Sequence, residues 1–203
     1  MSHDTWIHKI ARVGVRPLVD SPVTPNHLTS LRLAFGLAAA AAFAMGSGSW
    51  PAVGAGLFVV SMLLDRADGE LARLSGKTSP FGHKLDLVTD ALCNSLVFVG
   101  LGLGLEPGAL GGWAPALGVL AGLAVAAVLL LVIRLEALAG ERAGEVQGAA
   151  GFDPDDAMLA IPIGVWLGLS DWLVLAAAIG APLFALGMYV ALLVGRRRRL
   201  GSG

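Results

Sequence analysis

The chain has 203 residues, of which 56% are hydrophobic and 14% charged, with a mean hydropathy of +0.75 and a formal net charge of −1. A soluble domain carries about 25% charged residues, so this composition points to lipid as the surrounding solvent. Cys93 is the lone cysteine, which excludes an internal disulfide and a CxxC metal pattern.

Residues 1–21 are polar and basic and lack the apolar run that a cleavable export signal needs. Within them, residues 5–19 predict a short amphipathic helix, with Trp6, Ile10, Val13 and Leu18 apolar and Lys9, Arg12 and Arg16 basic. Such a helix can lie on an anionic membrane surface; a plain basic anchor that fixes topology is the equal alternative. Crossing a bilayer takes about 20 mostly apolar residues. The candidate segments are 28–45, 51–64, 85–105, 113–133, 156–169 and 172–194. The second and fifth are short as apolar runs and are expected to continue into polar stretches. The expected fold is therefore all-α: one membrane domain over 1–203, with an N-terminal amphipathic juxtamembrane helix, six transmembrane helices between 28 and 194, and a basic tail at 195–203.

Lys and Arg set the orientation. The connections 47–50, 106–112 and 170–171 contain neither. Basic residues fall instead in the N-terminal segment, among Arg66, Arg73, Lys77 and Lys84, at Arg134 and Arg142, and in the run Arg196 to Arg199. The positive-inside rule then puts both termini in the cytoplasm, and an even helix count agrees. This predicts a multi-pass protein of the inner (cytoplasmic) membrane. The C-terminal arginines read as a topology or lipid-surface clamp, and nothing points to nucleic acid as a partner. Gly118 and Gly122, four residues apart, predict close helix contact inside the chain in preference to a dimer face.

One region breaks the apolar logic. Asp65, Asp68, Asp86 and Asp90 lie at or near the same ends of two membrane helices. A charge at membrane depth costs several kcal/mol unless paired or hydrated. Asp65 and Asp68 are three positions apart, and Asp86 and Asp90 four, so each pair shares a helix face. Two such faces turned together gather four carboxylates, a charge that hard divalent cations such as Mg2+ or Mn2+ match. There is no Cys and His cluster to favour zinc. Gly69 and Ala72 leave a notch on the same stripe, Arg73 follows, and Gly82 permits a turn or close contact. A single aspartate at a helix end would read as a cap or a solvated group; this set at paired helical spacings reads as a site.

Asp65-x-x-Asp68-Gly69-x-x-Ala72-Arg73, then eight residues, then Gly82-x-x-x-Asp86-x-x-x-Asp90 resembles the motif of the CDP-alcohol phosphotransferase (CDP-alcohol phosphatidyltransferase) family at every defined position. The run from Pro25 to Arg32 is similar to the segment that precedes the first helix in that family. The resemblance implies a six-helix membrane enzyme, commonly a homodimer, with a cytoplasm-facing site. Such an enzyme displaces CMP from a CDP-linked donor with an alcohol hydroxyl. It implies two metal ions, Mg2+ or Mn2+, with Asp65, Asp68 and Asp86 as ligands and Asp90 near the second ion and acting as general base. Gly69, Ala72 and Gly82 are then expected to shape the nucleotide pocket, with Arg73 near its phosphates and Asn26, Thr29 and Arg32 as neighbours of the nucleotide.

The acceptor is less determined. Arg134 and Arg142, with Lys84, are candidates to hold a phosphate on a phosphorylated alcohol, although positive-inside topology with surface ion pairs is the favoured reading of Arg142. In Phe152-Asp153-Pro154-Asp155-Asp156, Asp153 reads as an N-cap with Pro at the first helical position. A grip on an acceptor hydroxyl or a cation is the alternative, and the segment resembles polar-head-group members of the family, including inositol-phosphate-using ones. His27 and His83 read as polar packing. The leading expectation is phospholipid synthesis, with CDP-diacylglycerol as donor and a small polar alcohol, such as inositol phosphate or glycerol phosphate, as acceptor. Competing readings are a soluble CDP-alcohol donor with a lipid or polar acceptor, a divalent-cation transporter, and a catalytically silent scaffold.

Overall fold

The computed structural model describes residues 6–105, 108–139 and 158–200, and among these there is no strand. The described residues form α1 Trp6–Val15, α2 Pro25–Met45, α3 Trp50–Ser75, α4 Pro80–Gly104, α5 Ala114–Ala139, α6 Ala160–Trp166 and α7 Ser170–Leu200. Local chemistry sets the boundaries. Pro25 and Pro80 stand at helix starts, where a missing N–H costs nothing. His27 Nδ1 accepts from the Thr24 backbone N–H at 3.2 Å, so this histidine caps α2. Ser79 Oγ accepts from the Gly82 N–H at 2.9 Å and caps α4. Gly46 and Gly76 end α2 and α3 with φ of 65° and 66°, the left-handed conformation that favours glycine.

Of these helices α2, α3, α4, α5 and α7 are long and apolar enough to cross a membrane. The second apolar run does continue through its acids, because α3 reaches Ser75. Within the described residues the fifth holds α6, whose 7 residues span about 10 Å at 1.5 Å per residue, against a hydrocarbon core of about 30 Å. Pro162 and Gly164 lie inside α6, and the chain turns at Gly168 with φ of 72°. Among the described residues 5 helices are thus long and apolar enough to span, and the fifth expected crossing begins at 156, outside them. The Asp153 to Asp156 segment and Arg142 lie outside the described residues. At the N-terminus α1 lies within the expected 5–19 and is followed by a 3-10 turn at Arg16–Leu18. Ala11 and Val15 are buried, and α1 packs on α3.

α2 packs against both α3 and α4, α5 against α4, α7 against α5, and α6 against α3. Phe43, Phe58, Val97, Phe98 and Leu101 fill the shared core. Small residues bring the backbones together. Gly102 and Gly118 meet backbone to backbone, and Gly122 lies against the Ser95 carbonyl, so the Gly118 and Gly122 pair serves packing within the chain. Gly100 faces the Ala40 carbonyl so closely that a Cβ would collide with it. Gly100→Ala is expected to destabilise the fold by about 1–3 kcal/mol, read as a lower melting temperature in detergent. An unchanged melting temperature would mean that α2 and α4 can move apart freely. Large apolar side chains face outward instead, among them Leu123, Leu183, Phe184 and Leu186, as expected where lipid is the solvent.

At one end of this bundle Gly46 touches Gly104, closing α2 on α4. The acids gather at the other end.

Candidate active site

Asp65 and Asp68 come from the last turns of α3, and Asp86 and Asp90 from the first turns of α4. Their helical spacing turns both pairs toward α2, which lies between the two helices. One carboxylate oxygen from each of Asp65, Asp68 and Asp86 lies within 4.8 Å of the others, a grouping able to hold a metal ion. Asp90 stands outside that trio.

The acids are held by arginines and one threonine. Arg32 Nη1 lies 2.6 Å from Asp65 Oδ1 and 3.2 Å from Asp86 Oδ1, while its Nη2 donates to Asp90 Oδ1. Arg66 Nη1 donates to the other oxygen of Asp65. The Thr29 hydroxyl stands 2.7 Å from Asp68 Oδ2. Arg32 is 3% exposed and Asp68 5%, whereas the Asp86 side chain is 40% exposed and reachable from outside. Among the described residues, four formal negative charges against the guanidiniums of Arg32 and Arg66 leave a surplus of two. Oxygen-only donors carrying that surplus suit a hard divalent cation, so the residues present fit one.

Beside Asp68 and Asp86 opens a cavity of about 190 Å³. Of the expected donor-binding residues, Asn26, Thr29, Gly69, Ala72 and Gly82 line it. At Gly82 a Cβ would meet the end of the Asn26 side chain, with Oδ1 at 2.5 Å, so a larger residue there would push Asn26 aside. Gly69 is different. A Cβ there would meet only the Arg73 guanidinium, at 3.7 Å, so its missing side chain leaves room in the cavity rather than room for the protein. Lys77, Ser79 and His83 also line this cavity. Lys77 Nζ donates to the carbonyls of Val19, Ser21 and Val23 at 3.3, 2.7 and 3.4 Å, tying the α3–α4 connection to the segment before α2. On the far side of the acids a second, water-sized cavity of about 20 Å³ is lined by Arg32, Asp65, Arg66, Asp90 and Asn94.

Two expected donor contacts stand elsewhere. Arg32 is buried among the aspartates and lines the second cavity rather than the first. Arg73 folds back onto Glu70, with Nη2 2.8 Å from Glu70 Oε1. Glu70 is 1% exposed and also accepts from Arg12 Nε of α1 at 3.2 Å, so α1 is ion-paired to the helix that carries Asp65 and Asp68. Neither Arg134, exposed near the end of α5, nor Lys84, exposed in the first turn of α4, lines either cavity. Glu70, Arg66, Lys77 and Asn94 are residues of this site that the sequence does not single out. Glu70 and Arg66 sit at undefined positions inside the motif, which is the one signal that they are near the site.

The profile of a family described as CDP-alcohol phosphatidyltransferase matches residues 22–195. Archaetidylinositol phosphate synthase of Pyrococcus horikoshii is 34% identical over 95 residues, 47% of this chain and 48% of that protein. A protein of Rubrobacter xylanophilus named bifunctional IPC transferase and DIPP synthase is 34% identical over 87 residues, 43% of this chain and 19% of its own. One of the same name from Aquifex aeolicus is 32% identical over 93 residues, 46% of this chain and 21% of its own. The aligned stretch therefore spans about half of the first relative and about a fifth of the other two. With the profile covering most of the sequence and the gathered aspartates lying within the matched residues, the chain belongs to the CDP-alcohol phosphatidyltransferase family.

Proposed function

We propose that this chain transfers a phosphate-linked group, such as a phosphatidyl group, from a CDP-activated donor to the hydroxyl of a small polar alcohol and releases CMP. The observation that carries this reading is the Asp65, Asp68 and Asp86 trio set beside a cavity that Gly69 leaves open. Asp65, Asp68 and Asp86 would hold Mg2+ or Mn2+, and Asp90 would stand near a second ion. When bound, such ions supply charge stabilisation to the attacking and leaving oxygens. The donor's diphosphate brings the further negative charge that a second ion requires.

The chain's own residues then have distinct tasks. Asn26, Gly69, Ala72 and Gly82 shape the wall along which the nucleotide lies, and the diphosphate meets the acids at Asp68 and Asp86. Asp90 takes the proton of the acceptor hydroxyl. The hydroxyl oxygen forms a bond to the distal phosphorus of the donor, and the bridging P–O bond to CMP breaks. Arg73, 42% exposed on its side chain, is free on that side to swing toward a phosphate while Glu70 anchors its resting position. An acceptor that itself carries a phosphate, of the inositol phosphate kind, is favoured by the archaeal relative, whose name ends in inositol phosphate synthase. Arg134, Arg142 and Lys84 are the basic residues proposed to meet it.

Both termini and the acidic end are proposed to face the cytoplasm, since Lys77, Lys84 and Arg134 gather at that end. A sixth crossing involving α6, a homodimer, and a membrane-surface role for α1 belong to the same proposal. The test is release of CMP by the purified protein given labelled CDP-diacylglycerol, Mg2+ and a panel of polar alcohols. Turnover with one or more alcohols is expected. Turnover only when a soluble CDP-alcohol replaces the lipid donor would reverse the assignment of the lipid. No CMP from either donor, with folded and metal-supplied protein, would remove the reading.

A further inference from the structure

Thr29 and Arg32 lie one turn apart on α2, both 3% exposed, and face the acids of both neighbouring helices. Arg32 is ion-paired to Asp65 on α3 and to Asp86 and Asp90 on α4. The Thr29 hydroxyl meets Asp68 Oδ2 at 2.7 Å. Each of the four aspartates therefore has a partner on α2. The level is itself fixed, because Ser61 Oγ of α3 donates to the Arg32 carbonyl at 3.1 Å. Like charges on two separate helices repel, and the repulsion is strong in a low-dielectric setting. A planar guanidinium with several donors in a rigid fork can span acids on both helices, as a single ammonium cannot.

We infer that Thr29 and Arg32 are positioning residues that set the four carboxylates from α2, and that the affinity of the site for divalent cations depends on them. The inference rests on the metal reading above, but gives Arg32 a task other than contact with the nucleotide. Thr29 orients Asp68 at the wall of the donor cavity. Arg32 holds Asp65 and Asp86 at a common height and draws Asp90 out of the trio.

Arg32 also brings a positive charge that opposes an incoming cation, so geometry and charge must be separated. Arg32→Lys keeps the charge and loses the fork. Thr29→Val keeps the shape and loses the hydroxyl, and Thr29→Ser restores it. Mn2+ binding to the detergent-purified full chain, followed by loss of the free-ion EPR signal, tests this, with melting temperature measured on the same samples. Thr29→Val and Arg32→Lys are expected to weaken Mn2+ binding about 10–100-fold, the usual effect of losing a partner of a metal ligand, and Thr29→Ser to bind like the original protein. If Arg32→Lys does not fold, the Thr29 pair decides alone. Unchanged affinity in Thr29→Val overturns the inference. So does tighter binding in Arg32→Gln with the Thr29 variants unaffected, which would make Arg32 a competitor of the ion. No Mn2+ binding by the original protein would instead remove the metal reading beneath it.

Discussion

Asp90→Asn is expected to lower kcat about 10²–10⁴-fold, the range that a positioned general base contributes, while binding of Mn2+ and of the CDP-linked donor changes little. The structure gives the reason for this split. Asp90 stands apart from the Asp65, Asp68 and Asp86 trio and lines the second cavity, away from the donor wall. Arg32 keeps Asp65 and Asp86 as partners when Asp90 loses its charge, so the cluster stays assembled. Single-turnover CMP release and a Mn2+ titration on the same preparation check both halves. Turnover at the original rate would remove Asp90 as the base. A parallel collapse of metal binding would make it a ligand first.

Asp68→Asn should show the opposite pattern. Asp68 is 5% exposed and sits between the Thr29 hydroxyl and the donor cavity. Asparagine can still accept from Thr29, so the fold is expected to survive with its melting temperature nearly unchanged. In the proposed site the lost charge is a ligand's own charge. Divalent-cation affinity should therefore fall by at least about a hundredfold, the upper end of what partners of metal ligands are worth, and turnover should fall with it. Raising Mn2+ concentration should recover part of the rate. Full activity at low Mn2+ would exclude Asp68 as a ligand.

The acids were legible in the sequence because helical spacing alone puts Asp65 with Asp68, and Asp86 with Asp90, on common faces. Their partners were not. Arg32 lies 54 and 58 residues from Asp86 and Asp90, and its contacts depend on which way α2 is turned. Near the start of an apolar run, an arginine reads equally well as a topology charge. Glu70 looks like a solvated acid among others, and its burial comes from α1 docking on α3 through Arg12. His83 reads as polar packing and Lys77 as a topology charge, yet both line the cavity proposed for the donor.

The helix count shows a related limit. Hydropathy falls at Asp65, but α3 continues to Ser75 because its acids point inward at α2 rather than outward at lipid. Apolar-run length therefore underestimates a helix that carries its own site. The run at 156–169 begins outside the described residues, and within them it holds α6, which passes through Pro162 and Gly164 and ends at Trp166. Glycine is informative only with the backbone in view. Gly100 is small because the α2 backbone presses on it, Gly82 faces the end of the Asn26 side chain, and Gly69 is small although nothing in the protein crowds it.

The most direct measurement is anomalous diffraction from crystals grown with Mn2+ and a CDP-linked donor. Peaks bounded by the carboxylates of Asp65, Asp68 and Asp86, with the diphosphate on the Gly69 side and Asp90 turned toward the second cavity, are the predicted result. Mn2+ bound elsewhere, or a diphosphate seated away from these three side chains, would contradict the account.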